Sequence, residues 1–227
     1  MPRPDEDLEL EAIVSDAIES HLGSAPAEDF IRDLLVRIKG HIGSENKRKN
    51  LVGEGFEDTL AGLLRRWEPT VRSYDIRVRP ALHDLPGFYA PRGSDKTKKV
   101  DLALVNRATG HRVLVSCKWS VRSDREEQFM TDFDAYSKLE SSGKSFDYVL
   151  VTNEFDPARL AAACENRSGN AEIFTRVVHV NPDGPREAYA APNSGSRARA
   201  GGMERAIGHM ASGRLESLQR WFESLSA

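Results

Sequence analysis

Apolar positions follow a helical spacing in the first third of the chain and a strand spacing in much of the middle. Recurrence near a 3.6-residue period predicts amphipathic helices, whereas alternation or short apolar runs bounded by turn residues predict strands. The predicted helices are 5–21, 27–42, 53–67, 126–139, 157–165 and 203–225. The predicted strands are 71–79, 100–105, 112–119, 147–153 and 172–180.

The order of these elements predicts a fold class. Thr109 and Gly110 form a good tight-turn pair between two strands, so 100–105 and 112–119 are expected to form a hairpin. Helices and strands alternate after it, which predicts an α/β fold with a mixed central β-sheet flanked by helices.

One domain spanning 1–227 is expected, because a chain of this length can bury one full core. Its parts are a helical N-terminal part (1–67), a catalytic α/β core (71–180) and a C-terminal helical part (203–225).

Composition narrows the class of protein. No apolar run approaches the ~18–20 residues that a membrane span needs, and the acidic N-terminus has no apolar signal region. Two cysteines do not make a disulfide framework, so a cytoplasmic protein without a membrane segment is expected. A net charge of −3 excludes a uniformly basic DNA-coating protein. It leaves open an enzyme that concentrates positive charge in one cleft.

The predicted hairpin carries the most informative side chains. Asp101 lies early in one strand, and Ser116 and Lys118 lie near the end of the other. Residues two apart in a strand share a face, so Ser116 and Lys118 point to the same side while Cys117 points away. Antiparallel pairing is therefore expected to bring a carboxylate and an ammonium together at one edge of the sheet.

Such a pair suits phosphodiester hydrolysis. A carboxylate can hold Mg²⁺ through oxygen, and the cation would polarise the phosphate while a lysine stabilises developing negative charge. One carboxylate alone would hold Mg²⁺ weakly, so further acidic side chains are expected nearby. The candidates are Glu57 and Glu54 on the third helix and Asp132 and Asp134 on the helix after Arg125.

The run Trp-Ser-Val-Arg-Ser-Asp-Arg follows Lys118 directly. Arginine can bond bidentately to guanine and aspartate can accept from the cytosine amino group, so Arg122, Asp124 and Arg125 are candidates for base reading. A surface cluster of salt bridges is the alternative interpretation. The basic residues Lys96, Lys98 and Lys99 beside Asp101 are candidates for contacts with the DNA backbone, although each alone also suits a solvated surface.

The segment 101–132 resembles the core of the PD-(D/E)xK nucleases, in the S-x-K variant found in type II restriction endonucleases that cut CCGG-containing sites. In that group Ser116 would replace the middle acid of the motif, and a following helix supplies the missing carboxylate. That acid is expected fourteen positions after Lys118, which is Asp132, where the family usually has glutamate. Glu57, in a Gly-x-x-Phe-Glu run, fits the acid that the family carries on an N-terminal helix.

The resemblance implies a restriction-endonuclease-like fold and Mg²⁺-dependent cleavage of double-stranded DNA at a palindromic CCGG-containing site, leaving 5′-phosphate and 3′-hydroxyl ends. It further implies a homodimer or tetramer, a bacterial cell and a partner DNA methyltransferase. The catalytic residues would be Asp101, Ser116, Lys118, Asp132 and Glu57. Asp101, Asp132 and Glu57 among them would hold the metal, and Arg122, Asp124 and Arg125 would read bases.

Three alternatives remain open from the sequence. Ser116 could be a nucleophile with Lys118 as its base. The chain could be another PD-(D/E)xK nuclease, acting in repair, on junctions or on modified DNA. It could also be a non-catalytic DNA-binding protein that keeps this fold.

Overall fold

The computed structural model describes residues 48–90, 97–121, 125–143, 145–190 and 197–225. The two helices predicted at 5–21 and 27–42 lie outside these residues. Within the described part, the fold is α/β, with a mixed central sheet of six strands flanked by helices.

The central sheet has both antiparallel and parallel pairs. Its strands, in spatial order, are β1 (Tyr74–Val78), β2 (Leu102–Asn106), β3 (Arg112–Lys118), β4 (Asp147–Thr152), β7 (Arg176–His179) and β8 (Leu215–Ser217). The pairs from β1 to β3 are antiparallel and those from β3 to β8 are parallel. A separate two-stranded sheet is formed by β5 (Arg167–Ser168) and β6 (Ala171–Glu172).

Helices cover both faces of the sheet. They are α1 (Arg48–Arg66), α2 (Glu68–Ser73), α3 (Arg125–Leu139), α4 (Pro157–Glu165), α5 (Asp183–Ala190), α6 (Arg197–Ala211) and α7 (Leu218–Ser224), and a short 3₁₀ turn spans Leu82–Asp84. Among these described helices, none combines the length and the apolar character that crossing a membrane requires.

Alternation along the strands separates two hydrophobic cores. Val113 and Val115 face a core that α1 and α7 complete, whereas Leu114 faces a core completed by α3, α4 and α6. Because both faces are covered, the inner strands read as nearly continuous apolar runs. Ser116 is a polar exception near the end of such a run, and it is buried.

The hairpin prediction is confirmed. Strands β2 and β3 pair antiparallel, with Leu102 opposite Val115. Asn106 closes the turn, because its Oδ1 atom accepts hydrogen bonds from the backbone N–H groups of Ala108 and Thr109. Gly110 adopts φ 71°, a conformation that glycine reaches without a steric penalty. The predictions for 53–67, 126–139, 147–153 and 157–165 are also confirmed within two residues, apart from an earlier start of α1.

The strand predicted at 71–79 is wrong in its first part. Residues 68–73 form helix α2, and the strand begins only at Tyr74. Pro69 lies in the first turn of α2, where its fixed φ and missing N–H group favour a helix start.

The strand predicted at 172–180 is likewise divided. Glu172 ends the small second sheet, and β7 begins at Arg176. Ile173 and Phe174 lie between them and are both fully buried. Both side chains enter the same core, whereas consecutive side chains of a strand point to opposite faces, so the strand is interrupted there.

The continuous helix predicted at 203–225 is wrong. Helix α6 ends before Gly213, which adopts φ 76° and donates its N–H group to the carbonyl of Met210. The chain then forms β8 at the edge of the sheet. Ser217 begins α7 by accepting a hydrogen bond from the N–H group of Arg220.

Candidate active site

The register of the hairpin determines where the candidate site lies. Since Leu102 pairs with Val115, the preceding Asp101 comes opposite Ser116. Lys118 is the last residue of β3, two positions further along the same face. The site therefore forms at the carboxyl end of β3, beside the parallel strand β4.

One carboxylate oxygen of Asp101 gathers three donors. Its Oδ2 atom accepts from Lys118 Nζ at 2.6 Å, from the backbone N–H of Cys117 at 2.8 Å and from Ser116 Oγ at 3.3 Å. The side chains of Asp101 and Lys118 are 25% and 17% exposed, so the pair is largely shielded from solvent while remaining reachable. The structure thus brings together the carboxylate and ammonium that the sequence pattern selected.

Glu57 joins this pair from helix α1. Its pKa is raised to about 7, chiefly by burial and then by the negative charge of Asp101. The positive charges of Arg79 and Lys118 oppose this rise. Its Oε2 atom accepts a hydrogen bond from Arg79 Nε at 2.7 Å. The two carboxylates repel each other even though each has a cationic partner, Lys118 for Asp101 and Arg79 for Glu57.

Asp132 lies on helix α3 at the side of this group. Its Oδ1 atom is 3.2 Å from Lys98 Nζ. Burial chiefly raises the pKa of the Tyr136 hydroxyl, and the charges of Asp132 and Asp101 both add to the rise. Tyr136 therefore feels both acids, but the contact that the structure gives Asp132 is with Lys98.

The contacts that the structure gives the other two candidate acids, Asp134 and Glu54, are not with Asp101. Asp134, two residues after Asp132, accepts from Ser168 Oγ at 2.7 Å, because residues two apart on a helix face different directions. The side chain of Glu54 is exposed, and its backbone carbonyl accepts from Arg79 at 3.0 Å.

The geometry disfavours Ser116 as a nucleophile activated by Lys118. Ser116 Oγ and Lys118 Nζ both contact Asp101 Oδ2, whereas a nucleophile and its base bond to each other. Cys117 is no better suited, since burial, followed by the charges of Asp101 and Glu57, raises the pKa of its thiol well above its ordinary value.

The sequence reasoning missed Arg79 and Glu154. Arg79 donates its backbone N–H to the carbonyl of Asp101 at 2.9 Å, in addition to its contact with Glu57. Glu154 is buried, and its Oε2 atom accepts the backbone N–H of Val121 at 2.7 Å. A signal for Glu154 was present, because it follows the apolar strand β4 at the carboxyl edge where α/β folds place their sites.

The candidate DNA contacts lie partly outside the described residues. Arg122, Asp124 and Lys96 lie outside the described residues, and Arg125 begins helix α3 without a described side chain. Lys99 is exposed, and its carbonyl accepts from the Tyr136 hydroxyl at 3.0 Å.

In the described part of the chain, no three histidine, cysteine, aspartate or glutamate side chains are grouped so that they could hold a metal ion.

No protein-family model matches this chain, and no curated protein matches it either.

Proposed function

We propose that this protein is a Mg²⁺-dependent, site-specific endonuclease of the type II restriction class, with a restriction-endonuclease-like fold. The proposal rests on one contact, the 2.6 Å pairing of Asp101 with Lys118 at the end of a buried hairpin. The mixed sheet flanked by helices is compatible with that fold.

The chemistry of the donor set fits Mg²⁺. Proteins usually bind this ion through one or two carboxylates, with substrate phosphate and water completing its shell. Asp101 and Glu57 would supply these carboxylates, and their mutual repulsion is what a divalent cation relieves. When bound, Mg²⁺ would polarise the scissile phosphate and make a bound water more acidic. Asp132 is a further acid near this group.

Lys118 is the proposed catalytic cation of the chain. Its ammonium group lies at the edge of the sheet beside Asp101, where it would stabilise the negative charge that develops on the phosphate oxygens. Water attacks phosphorus and the bond to the 3′ oxygen breaks. One proton of the attacking water ends on the 3′ oxygen, which leaves as a hydroxyl, and the oxygen of that water stays in the phosphate on the 5′ end.

Recognition follows from the resemblance. Arg122, Asp124 and Arg125 would read a CCGG-containing palindrome, and Lys96, Lys98 and Lys99 would contact phosphates. A palindromic site calls for a two-fold protein, hence a homodimer or tetramer. A methyltransferase of the same specificity would protect the host DNA.

The test is digestion of an unmodified plasmid of known sequence, with sequencing of the ends. Discrete fragments that share CCGG at their ends, formed with Mg²⁺ and not with EDTA, support the proposal. A smear, or cleavage only of methylated or branched DNA, favours another nuclease of the superfamily. Specific binding without cleavage of any DNA favours a non-catalytic protein.

Lys118→Ala supplies the internal control for that digestion. It should abolish cutting while leaving DNA binding intact, which excludes a contaminating nuclease. Lys138→Ala, at an exposed lysine in the last turn of α3, is the matched variant that should cut like the unmodified protein.

A further inference from the structure

The backbone at Arg79 is unusual. Among the residues that the structure describes, Arg79 is the one non-glycine residue with a positive φ, 47°. In this left-handed region a Cβ atom crowds the neighbouring backbone, so L-residues with long side chains adopt it rarely. Such strain persists where surrounding contacts hold it, and it concentrates at functional sites.

The contacts of Arg79 join the two elements that carry the candidate ligands. Its backbone N–H donates to the carbonyl of Asp101, at the start of β2. Its guanidinium reaches helix α1, with Nε 2.7 Å from Glu57 Oε2 and one terminal nitrogen 3.2 Å from Asp58 Oδ1. The strained residue therefore spans the gap between the Asp101 strand and the Glu57 helix.

We infer that Arg79 is a positioning residue, which fixes the Glu57 carboxylate beside Asp101 in the arrangement that a divalent cation requires. The inference rests on the proposed function and adds a residue to it. A guanidinium bound to one carboxylate oxygen leaves the other oxygen available as a ligand. Carboxylates that bind metals are commonly held by such hydrogen bonds, and losing them typically weakens metal affinity.

Arg77 provides a matched control. It lies two residues earlier on β1, and its side chain is 37% exposed, as is that of Arg79. Arg77 also makes an ion pair, with Nε 2.8 Å from Asp75 Oδ2. Its partner is not one of the proposed ligands, and its backbone lies within a regular strand, so Arg77→Gln tests the loss of an arginine ion pair at this surface without touching Glu57.

The experiment measures Mn²⁺ binding to the full chain by calorimetry at pH 8, without DNA. We expect Arg79→Gln to weaken the affinity by about 10- to 100-fold, and Arg77→Gln to change it less than twofold. Equal affinities for the two variants would overturn the inference while leaving the proposed function standing. A parent protein that binds no Mn²⁺ and cuts no DNA would overturn both.

Arg79→Gly separates positioning from folding. Glycine adopts a positive φ without strain, so this variant should unfold at a temperature no lower than Arg79→Gln does. If Arg79 acts on Glu57, the glycine variant still loses Mn²⁺ affinity despite the relieved backbone. Unchanged affinity in a folded Arg79→Gly protein would refute the assigned role.

Discussion

Strand β3 carries an ion pair at each end, and the two pairs differ in kind. At its start, Arg112 binds Glu140 at 3.0 Å, with side chains only 3% and 11% exposed. At its end, Lys118 binds Asp101 at 2.6 Å, and both side chains are more open to solvent. Between them, β3 is apolar and buried from Val113 to Val115. The two ion pairs can therefore be compared as the polar ends of one buried strand.

The Arg112 end is a closed structural joint. Its guanidinium also donates to the Pro86 carbonyl and the Ser142 hydroxyl, and it lies 5.2 Å from the ring centre of Phe88. Gly87 fits against it so tightly that an added Cβ atom would lie 2.0 Å from Arg112 Nη1. The group holds three segments of chain together.

The Lys118 end is electrostatically unsettled. Two carboxylates repel each other strongly enough to help raise the pKa of Glu57 to about 7, and the nearby Arg79 backbone is strained. A joint built only for stability would avoid both features. Perturbed pKa values of this kind are typical of functional sites. We therefore propose a catalytic role for the Lys118 end and a structural role for the Arg112 end.

Replacing Lys118 gives the largest expected effect on activity. Lys118→Ala should lower the rate of plasmid cleavage about 10³-fold or more, because it removes the cation that we propose stabilises the transition state. The free energy of unfolding should change by only about 1 kcal/mol, because Asp101 is 25% exposed and keeps its hydrogen bonds from Cys117 and Ser116. Cleavage assays and urea denaturation measure the two effects. A variant that cuts normally would break the comparison.

Replacing Arg112 should produce the converse. Arg112→Ala removes a buried guanidinium together with its hydrogen bonds to Pro86, Ser142 and Glu140, so we expect a loss of about 3–5 kcal/mol in the free energy of unfolding. The exposed pair of Arg72 with Glu68 supplies a control, and Arg72→Ala should cost less than about 1 kcal/mol. A small loss for Arg112→Ala would mean that the buried joint contributes little to the fold.

Acid–base behaviour should distinguish Glu57 from an ordinary surface acid. Its pKa is about 7 in the folded protein, against 4.5 ordinarily, so the folded state retains a proton that the unfolded state releases. Stability is therefore unaffected below pH ~4.5 and falls as the pH rises to ~7, by at most about 3 kcal/mol. Glu57→Gln should remove this slope in metal-free buffer.

Urea denaturation at several pH values with EDTA measures that slope. The pH-dependent part of the Arg79 contact is already contained in the pKa of Glu57. The rest of that contact displaces the Glu57→Gln curve by a constant amount, so the slope is the quantity to compare. Parallel curves for the two proteins from pH 4.5 to 8 would show that the burial of Glu57 and its repulsion by Asp101 are not felt.

The hairpin part of the site could be predicted because neighbouring residues determine it, whereas Glu57 was selected through the family resemblance. A two-residue strand period and a short turn suffice to bring Asp101 opposite Ser116 and beside Lys118. Arg79 and Glu154 escaped prediction because their partners lie 22 and 33 residues away, and only the assembled sheet brings them together. Apolar alternation also misplaced the strand starts at Tyr74 and Arg176, since short helices and buried bends share that local pattern.

The smallest expected effect concerns Glu154, which follows β4. Its carboxylate binds the backbone N–H of Val121, three residues after Lys118. Trp119 is held nearby, with its ring 5.5 Å from that of Phe56 on the Glu57 helix. Glu154→Gln weakens one attachment of this segment, so we expect cleavage to slow about tenfold, equivalent to one ordinary hydrogen bond.

Glu216→Gln is the matched control for that substitution. The side chains of Glu154 and Glu216 are each 6% exposed, and each contacts an arginine, Arg159 for Glu154 and Arg176 for Glu216. Glu216, however, lies on the edge strand β8. Both variants should lose about 1–3 kcal/mol of stability, because each disturbs a buried carboxylate. Only Glu154→Gln should also slow cleavage of bound DNA, measured in single turnovers. Equal rates in the two variants would mean that the hydrogen bond to Val121 supports the fold alone. The Lys118 end of β3 would then be positioned without it.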